Sequence, residues 1–142
     1  MRLTATLAVT PQLDVTLLAK KLAIRDALRE AIPRAAELVV TEAQALVPVV
    51  SGNLRDHIHA YSVEDTDTRQ VYQVAPFDAA DNKYGFDPAY ARRIEYGFFG
   101  QDSMGRMYNQ AGTPYMRPAR DTQAEPVKDL IQNAVVTAAK GR

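Results

Sequence analysis

The chain has no cysteine, and its charges cancel, with seventeen Lys and Arg against seventeen Asp and Glu in 142 residues. The lack of cysteine excludes disulfides and thiolate metal sites. The balanced charge argues against a dedicated nucleic-acid binder, which carries a clear basic excess, though it leaves room for a local basic stripe. No apolar run approaches the length of a membrane span. The first ten residues, MRLTATLAVT, are too rich in Thr for a secretory signal. The expectation is a soluble protein, made in the cytoplasm, with no membrane partner. Also missing are the phosphate-binding glycine loops, the G-x-S-x-G nucleophile elbow and the H-E-x-x-H zinc helix. The sequence therefore offers no catalytic residues and calls for no cofactor and no metal.

What is present is an ordinary globular mixture, 46% apolar and 24% charged, of a length that fits one domain over residues 1–142. Leu3, Ala5, Leu7 and Val9 alternate with smaller or polar residues, a strand pattern. From about residue 15 to residue 46 the period lengthens. Leu18, Leu22, Leu28, Ile32, Ala35, Val39, Ala43 and Leu46 mark an amphipathic helix or a pair of them. Asp14 or Thr16 is placed to cap it, and Pro33 predicts a kink or break near Ala31. Residues 58–64 and 69–75 read as a hairpin across the polar turn 65–68. Residues 77–88 have loop composition. Residues 88–96 predict a short helix ended by Gly97. Residues 98–113, with Gly100, Gly105 and Gly112 and no period, read as a long exposed arm. A last helical stripe runs from Val127 to Ala138, with Pro126 in or before its first turn. The class is α+β: a long N-terminal and a C-terminal helix packed on a small antiparallel sheet, with a long extended loop.

Three constellations carry chemistry. His57 and His59, spaced H-x-H on the presumed strand, can share a face and bind metal, but without a third ligand they read as solvent-face residues. Arg92 and Glu95 fall three apart on the short helix and read as a surface pair. Arg92, Arg93, Arg106, Arg117 and Arg120 are interleaved with Tyr96, Phe98, Phe99, Tyr108 and Tyr115. That composition serves nucleic-acid binding by phosphate contact and stacking, and it is equally the signature of protein–protein hot spots. Balanced net charge favours the protein interface. The arm adds Met104 and Met107, apolar residues that need a partner.

Two blocks are recognisable. VPVVSGNLRDHI supplies Pro48, Ser51, Gly52, Leu54, Arg55 and Ile58; YARRIEYG and PYMRPA supply Tyr90, Ala91, Glu95, Gly97, then Pro114, Tyr115, Met116, Arg117, Pro118 and Ala119. In this order they resemble the tailed-phage tail-component family typified by gene product ten of the Hong Kong phage. His57 stands where that family usually has Ser. The resemblance runs over about residues 15–140. It implies a non-enzymatic virion protein of the head–tail neck or tail end, a connector or tail-completion (terminator) component. Such proteins form rings, often hexameric, around the DNA channel. Its partners would be its own copies, other neck or tail proteins, and DNA passing without sequence-specific binding.

On that reading Leu54 and Ile58 pack under the long helix, and Gly52 and Gly97 take backbone angles that a Cβ disfavours. Arg55 bridges to a carboxylate such as Glu95. Pro114 and Pro118 stiffen a hinge that presents Tyr115, Met116 and Arg117. The oligomer contact would then use Arg92, Arg93, Phe98, Phe99, Met104, Met107, Tyr108, Tyr115, Met116 and Arg117. A nucleic-acid-binding module of the same shape is the second reading, and a small metal hydrolase on His57 and His59 the third.

Overall fold

The computed structural model describes residues 11–50, 52–76 and 88–141. The strand expected at residues 3–9, the loop 77–87 and Ser51 lie outside them. Helix α1 runs over Pro11–Leu46, about 54 Å at 1.5 Å per residue. The helix is thus in place before the expected start, and Asp14 and Thr16, expected at its cap, fall within its bounds. The break expected near Ala31 is absent. Pro33 removes the donor to the Arg29 carbonyl, yet α1 continues through it as one element. The packing stripe is also displaced. Ala31, Ala35, Ala36, Val40, Ala43 and Val47 are buried, whereas Leu18, Leu22 and Leu46 are exposed. Small residues on the buried ridge let another helix approach closely.

That helix is α4, Met116–Lys140. It lies antiparallel to α1. Gln123 donates to Glu42 (3.4 Å) near one end, and Leu130, Ala134 and Ala138 face Ala31, Ala27 and Ala23 toward the other. The expected helix start at Pro126 is wrong by three turns. Pro126 sits inside α4; of PYMRPA, Tyr115 is the N-cap and residues 116–119 form the helix's first turn. Pro118 is tolerated because first-turn amides have no intrahelical acceptor.

Between the helices the chain makes two separate two-stranded sheets. A short helix α2, Asn53–Asp56, starts at Gly52 with φ 80°, the left-handed angle expected there. It inserts Leu54 beside Ile58, and both join Val40, Ala43 and Val47 in the core. Strands β1 (His59–Asp65) and β2 (Gln70–Ala75) pair antiparallel with an irregularity between Ser62 and Glu64. The turn closes with Thr66 donating its N–H to the Arg69 carbonyl at 2.8 Å. Arg29 pins it to α1 through Asp65 and Asp67, both at 3.5 Å. These pairs are exposed and contribute little each. Arg55 does not reach Glu95. Its Nε pairs with Asp56 at 2.9 Å.

Helix α3, Pro88–Tyr96, has the expected bounds. The arm does not. Residues 97–111 form a second hairpin, β3 (Gly97–Gln101) with β4 (Met107–Ala111), in register Gly97 with Ala111 and Gln101 with Met107. Glycines at 97 and 100 hide its alternation in the sequence. At its base two backbones nearly touch. Gly97 has φ 82°, and a Cβ there would meet the Gln110 carbonyl at 2.5 Å; one on Gly112 would meet the Tyr96 backbone at 2.6 Å. Gly97→Ala is therefore expected to destabilise the fold by about 3 kcal/mol through strain and backbone displacement. Calorimetry should show a melting temperature lower by roughly 10 °C. An unchanged melting temperature would contradict the close approach.

Candidate functional site

The start of α4 poses a chemical problem. Its N-cap residue is Tyr115, φ −129°, which offers no side-chain acceptor. Yet Tyr115 is 1% exposed, so water cannot serve the first amides. Glu95, in the last turn of α3, solves this. Its Oε2 accepts from the N–H of Tyr115 (2.7 Å) and Met116 (3.0 Å), and its Oε1 from the N–H of Arg117 (3.2 Å). A charged acceptor makes each bond stronger than a neutral one, and the helix dipole favours an anion at this end. Glu95 is only 6% exposed and has no ion pair with Arg92 among the described residues. The surface pair expected from spacing is thus replaced by a buried cap. The absence of Ser, Thr, Asp or Asn at the cap of α4 was the one sequence signal for it.

Between the two ends of this joint stands the β3–β4 hairpin. Thr113 N–H donates to the Ile94 carbonyl at 2.7 Å, closing the base. At the tip, Asp102 organises the turn. Its Oδ1 accepts from the backbone N–H of Met104 and Arg106, both at 2.9 Å. Its Oδ2 accepts from Arg106 Nε (2.7 Å) and the Tyr108 hydroxyl (3.3 Å). These bonds, led by the Arg106 amide, hold the Asp102 carboxyl below its ordinary pKa. The tip therefore keeps this support at neutral pH and loses it as pH falls through that lowered value.

The hairpin has two faces. By alternation and register, Phe98, Gly100, Tyr108 and Gln110 share one; Phe99, Gln101, Met107 and Asn109 share the other. Phe98 lies across Gly100, and the Arg93 guanidinium sits 4.5 Å from its ring centre. On the opposite face Phe99 is 75% and Met107 62% exposed, with Met104 at the tip 76% exposed.

The residues expected to form one interface therefore separate. Phe99, Met104 and Met107 stand out on the hairpin, with Tyr108 exposed on its other face. Arg92, Arg93 and Arg117 are exposed around the α3–α4 joint. Met116 is half-buried against the core, and Tyr115 is a core residue, unavailable to any partner. A cleft of about 650 Å³ at the joint is lined by Ala91, Arg92, Tyr96 and Met116. Of the motif residues, Tyr90 and Pro114 are exposed and Pro48 and Pro118 half-buried. His57 lies off the strand, at the end of α2, with Nδ1 2.7 Å from the Asn53 carbonyl. His59 packs edge-on to Tyr61. The shared strand face expected for the two does not exist, and no group of three or more His, Asp or Glu among the described residues could hold a metal ion.

Two measurements probe the joint. Glu95→Ala should lower stability by about 3 kcal/mol, leaving an uncapped, poorly hydrated helix start. Glu95→Gln should lose less, since an amide oxygen still accepts. Equal melting temperatures for the wild type and Glu95→Ala would refute the cap. The Tyr115 hydroxyl is pushed up to about 12 by burial and then by the Glu95 charge. A raised pKa means that the folded state holds its proton where the unfolded chain, near 10, has lost it. Its contribution is thus full below pH 10 and disappears as pH rises through 12, at on the order of 1 kcal/mol per pH unit. Tyr115→Phe should flatten the alkaline limb of a melting-temperature profile between pH 10 and 12; a limb of unchanged slope would exclude Tyr115 as its source.

Against known proteins, the family model described as "Bacteriophage HK97-gp10, putative tail-component" matches residues 13–97. No curated protein and no solved structure matches the chain. No helix of the described residues is long and apolar enough to cross a membrane. The match takes in most of α1, the β1–β2 hairpin, α3 and both Glu95 and Gly97, more than half of the sequence, and on it this chain belongs to the HK97-gp10-like family of bacteriophage tail components.

Proposed function

We propose that this tail component is a ring-forming protein of the head–tail neck, a connector or tail-completion (terminator) subunit. Residues 1–142 act in it as one domain, and the β3–β4 hairpin carries the contact between neighbouring copies. The observation behind this reading is the apolar face of the hairpin. Phe99 and Met107 project from the strands, and Met104 from the turn that Asp102 holds with four bonds. Exposed apolar groups on a preformed element suit docking, because little order remains to be gained on binding, and Met adapts to an uneven partner surface.

An arm that leaves one copy and lies on a different surface of the next makes a heterologous contact. Such contacts close into a ring when the rotation permits. Other neck or tail proteins would meet the two rims of that ring, and DNA would pass through it without sequence readout. The role is structural and needs no cofactor. The family membership supports the virion setting, and the hairpin supports the self-contact.

Phe99→Glu combined with Met107→Glu tests the arm. Both side chains are exposed, so folding stability should change by less than about 1 kcal/mol. Light scattering behind size exclusion should show the wild type at several times the 15.7 kDa protomer mass and the double variant at the protomer mass. Negative-stain images should show rings only for the wild type. A double variant that still forms the same oligomer would rule out the hairpin as the contact.

A further inference from the structure

All but three of the arginines among the described residues lie within 3.7 Å of a carboxylate oxygen. The three exceptions are Arg92, Arg93 and Arg117, and they surround one joint. Arg92 and Arg93 are neighbours on α3. Arg117 is the second residue of α4, its backbone tied to Glu95 at 3.2 Å. Among the described residues the acidic group at this joint is Glu95, buried with its two oxygens on three backbone amides. It holds the arginines in place without neutralising any of them by direct contact. Arg93 is further fixed over the Phe98 ring, and Tyr96 stands 67% exposed beside them.

We propose that this face binds the sugar–phosphate backbone of duplex DNA, each guanidinium taking phosphate oxygens. The inference rests on the ring reading above, in which every copy turns one surface toward the DNA path. Three observations point to a phosphate backbone. Among the described residues these three cations have no carboxylate partner, whereas the other arginines each have one. They are carried on two helices joined by the Glu95 cap, so their backbone attachment points are fixed relative to one another. An exposed tyrosine supplies a stacking surface that is indifferent to sequence. The aromatic Phe98 side of the hairpin faces this patch, whereas Phe99 and Met107 lie on the opposite face. The DNA surface and the subunit contact are thus separated by the hairpin itself. Three phosphate contacts per copy give a weak, salt-sensitive, sequence-blind grip, compatible with DNA that must move.

The test is fluorescence anisotropy of a labelled duplex against the full-length protein. With three phosphates neutralised, affinity should fall about 40-fold between 50 and 200 mM salt. The triple variant Arg92→Gln, Arg93→Gln, Arg117→Gln should bind at least tenfold more weakly and lose most of that salt dependence. The corresponding triple Lys variant should retain binding, and Arg120→Gln, whose cation already pairs with Asp121 at 2.7 Å, should match the wild type. Thermal melts of each variant control for folding. A wild type without salt-dependent binding overturns the proposal, and so does a triple Gln variant that binds as the wild type does. Polyglutamate competing as well as unlabelled duplex would also overturn it, and would assign the patch to an acidic protein surface. Light scattering on the same samples reads the ring separately. Rings without DNA binding sink this inference alone, and DNA binding without rings sinks the ring reading alone.

Discussion

The structure turns on one carboxylate. Glu95 ends α3 and caps α4, and those two helices meet nowhere else through so many bonds. A buried carboxylate costs several kcal/mol in lost hydration unless its oxygens are fully used. Here three amides from consecutive residues use both of them. The same amides are the donors that α4 cannot satisfy itself. Each side of the joint therefore needs the other: without α4 the carboxylate is stranded, and without Glu95 the helix start is. Tyr115 and Ala119 reach the core beside Ala43 and Val47 only because this joint sets where α4 begins.

The hairpin follows from the joint. Its two ends are clamped at Gly97 and Gly112, where the backbones approach too closely for any Cβ. A strand pair this short is marginal in isolation. It persists because the base is fixed by the Glu95 joint and the tip by Asp102. With both ends held, strand alternation does the rest. The adjacent residues Phe98 and Phe99 face opposite ways, one onto Arg93 and Gly100, the other into solvent. Two surfaces of different chemistry are separated by one peptide bond.

How much of this was legible in the sequence depended on whether a signal was local. The long helix, the β1–β2 hairpin and α3 carried clear periods, and their bounds were close. The β3–β4 hairpin did not, because glycine has no side chain to mark a face and two of β3's five residues are glycine. Prolines misled twice. Pro33 looks like a break and Pro126 like a helix start, yet each removes a single donor, and packing of α1 on α4 outweighs that loss. Helix α1 also showed its larger side chains as the stripe, while the packed ridge is built on alanine. Glu95 was visible as a motif residue and misassigned. Spacing offered Arg92 as its partner, whereas its true partners are backbone groups twenty to twenty-two residues on. A side-chain bond to amides this far along the chain leaves no local spacing to read, unlike an ordinary N-cap.

The family match stops at Gly97, yet Glu95 and Gly97 both act on residues beyond it. Glu95 requires the amides of residues 115–117, and Gly97 requires the close passage of residues 110–112. The C-terminal segment is therefore bound to the matched region by physical necessity, even though the sequence likeness does not reach it. What lies between, residues 98–111, is different. It leaves the joint and returns to it, and its outer half touches no core residue. Its length and surface can change while the clamp at its base stays the same. A fold organised in this way leaves the arm free of the demands of the joint, which suits the docking role proposed for the hairpin.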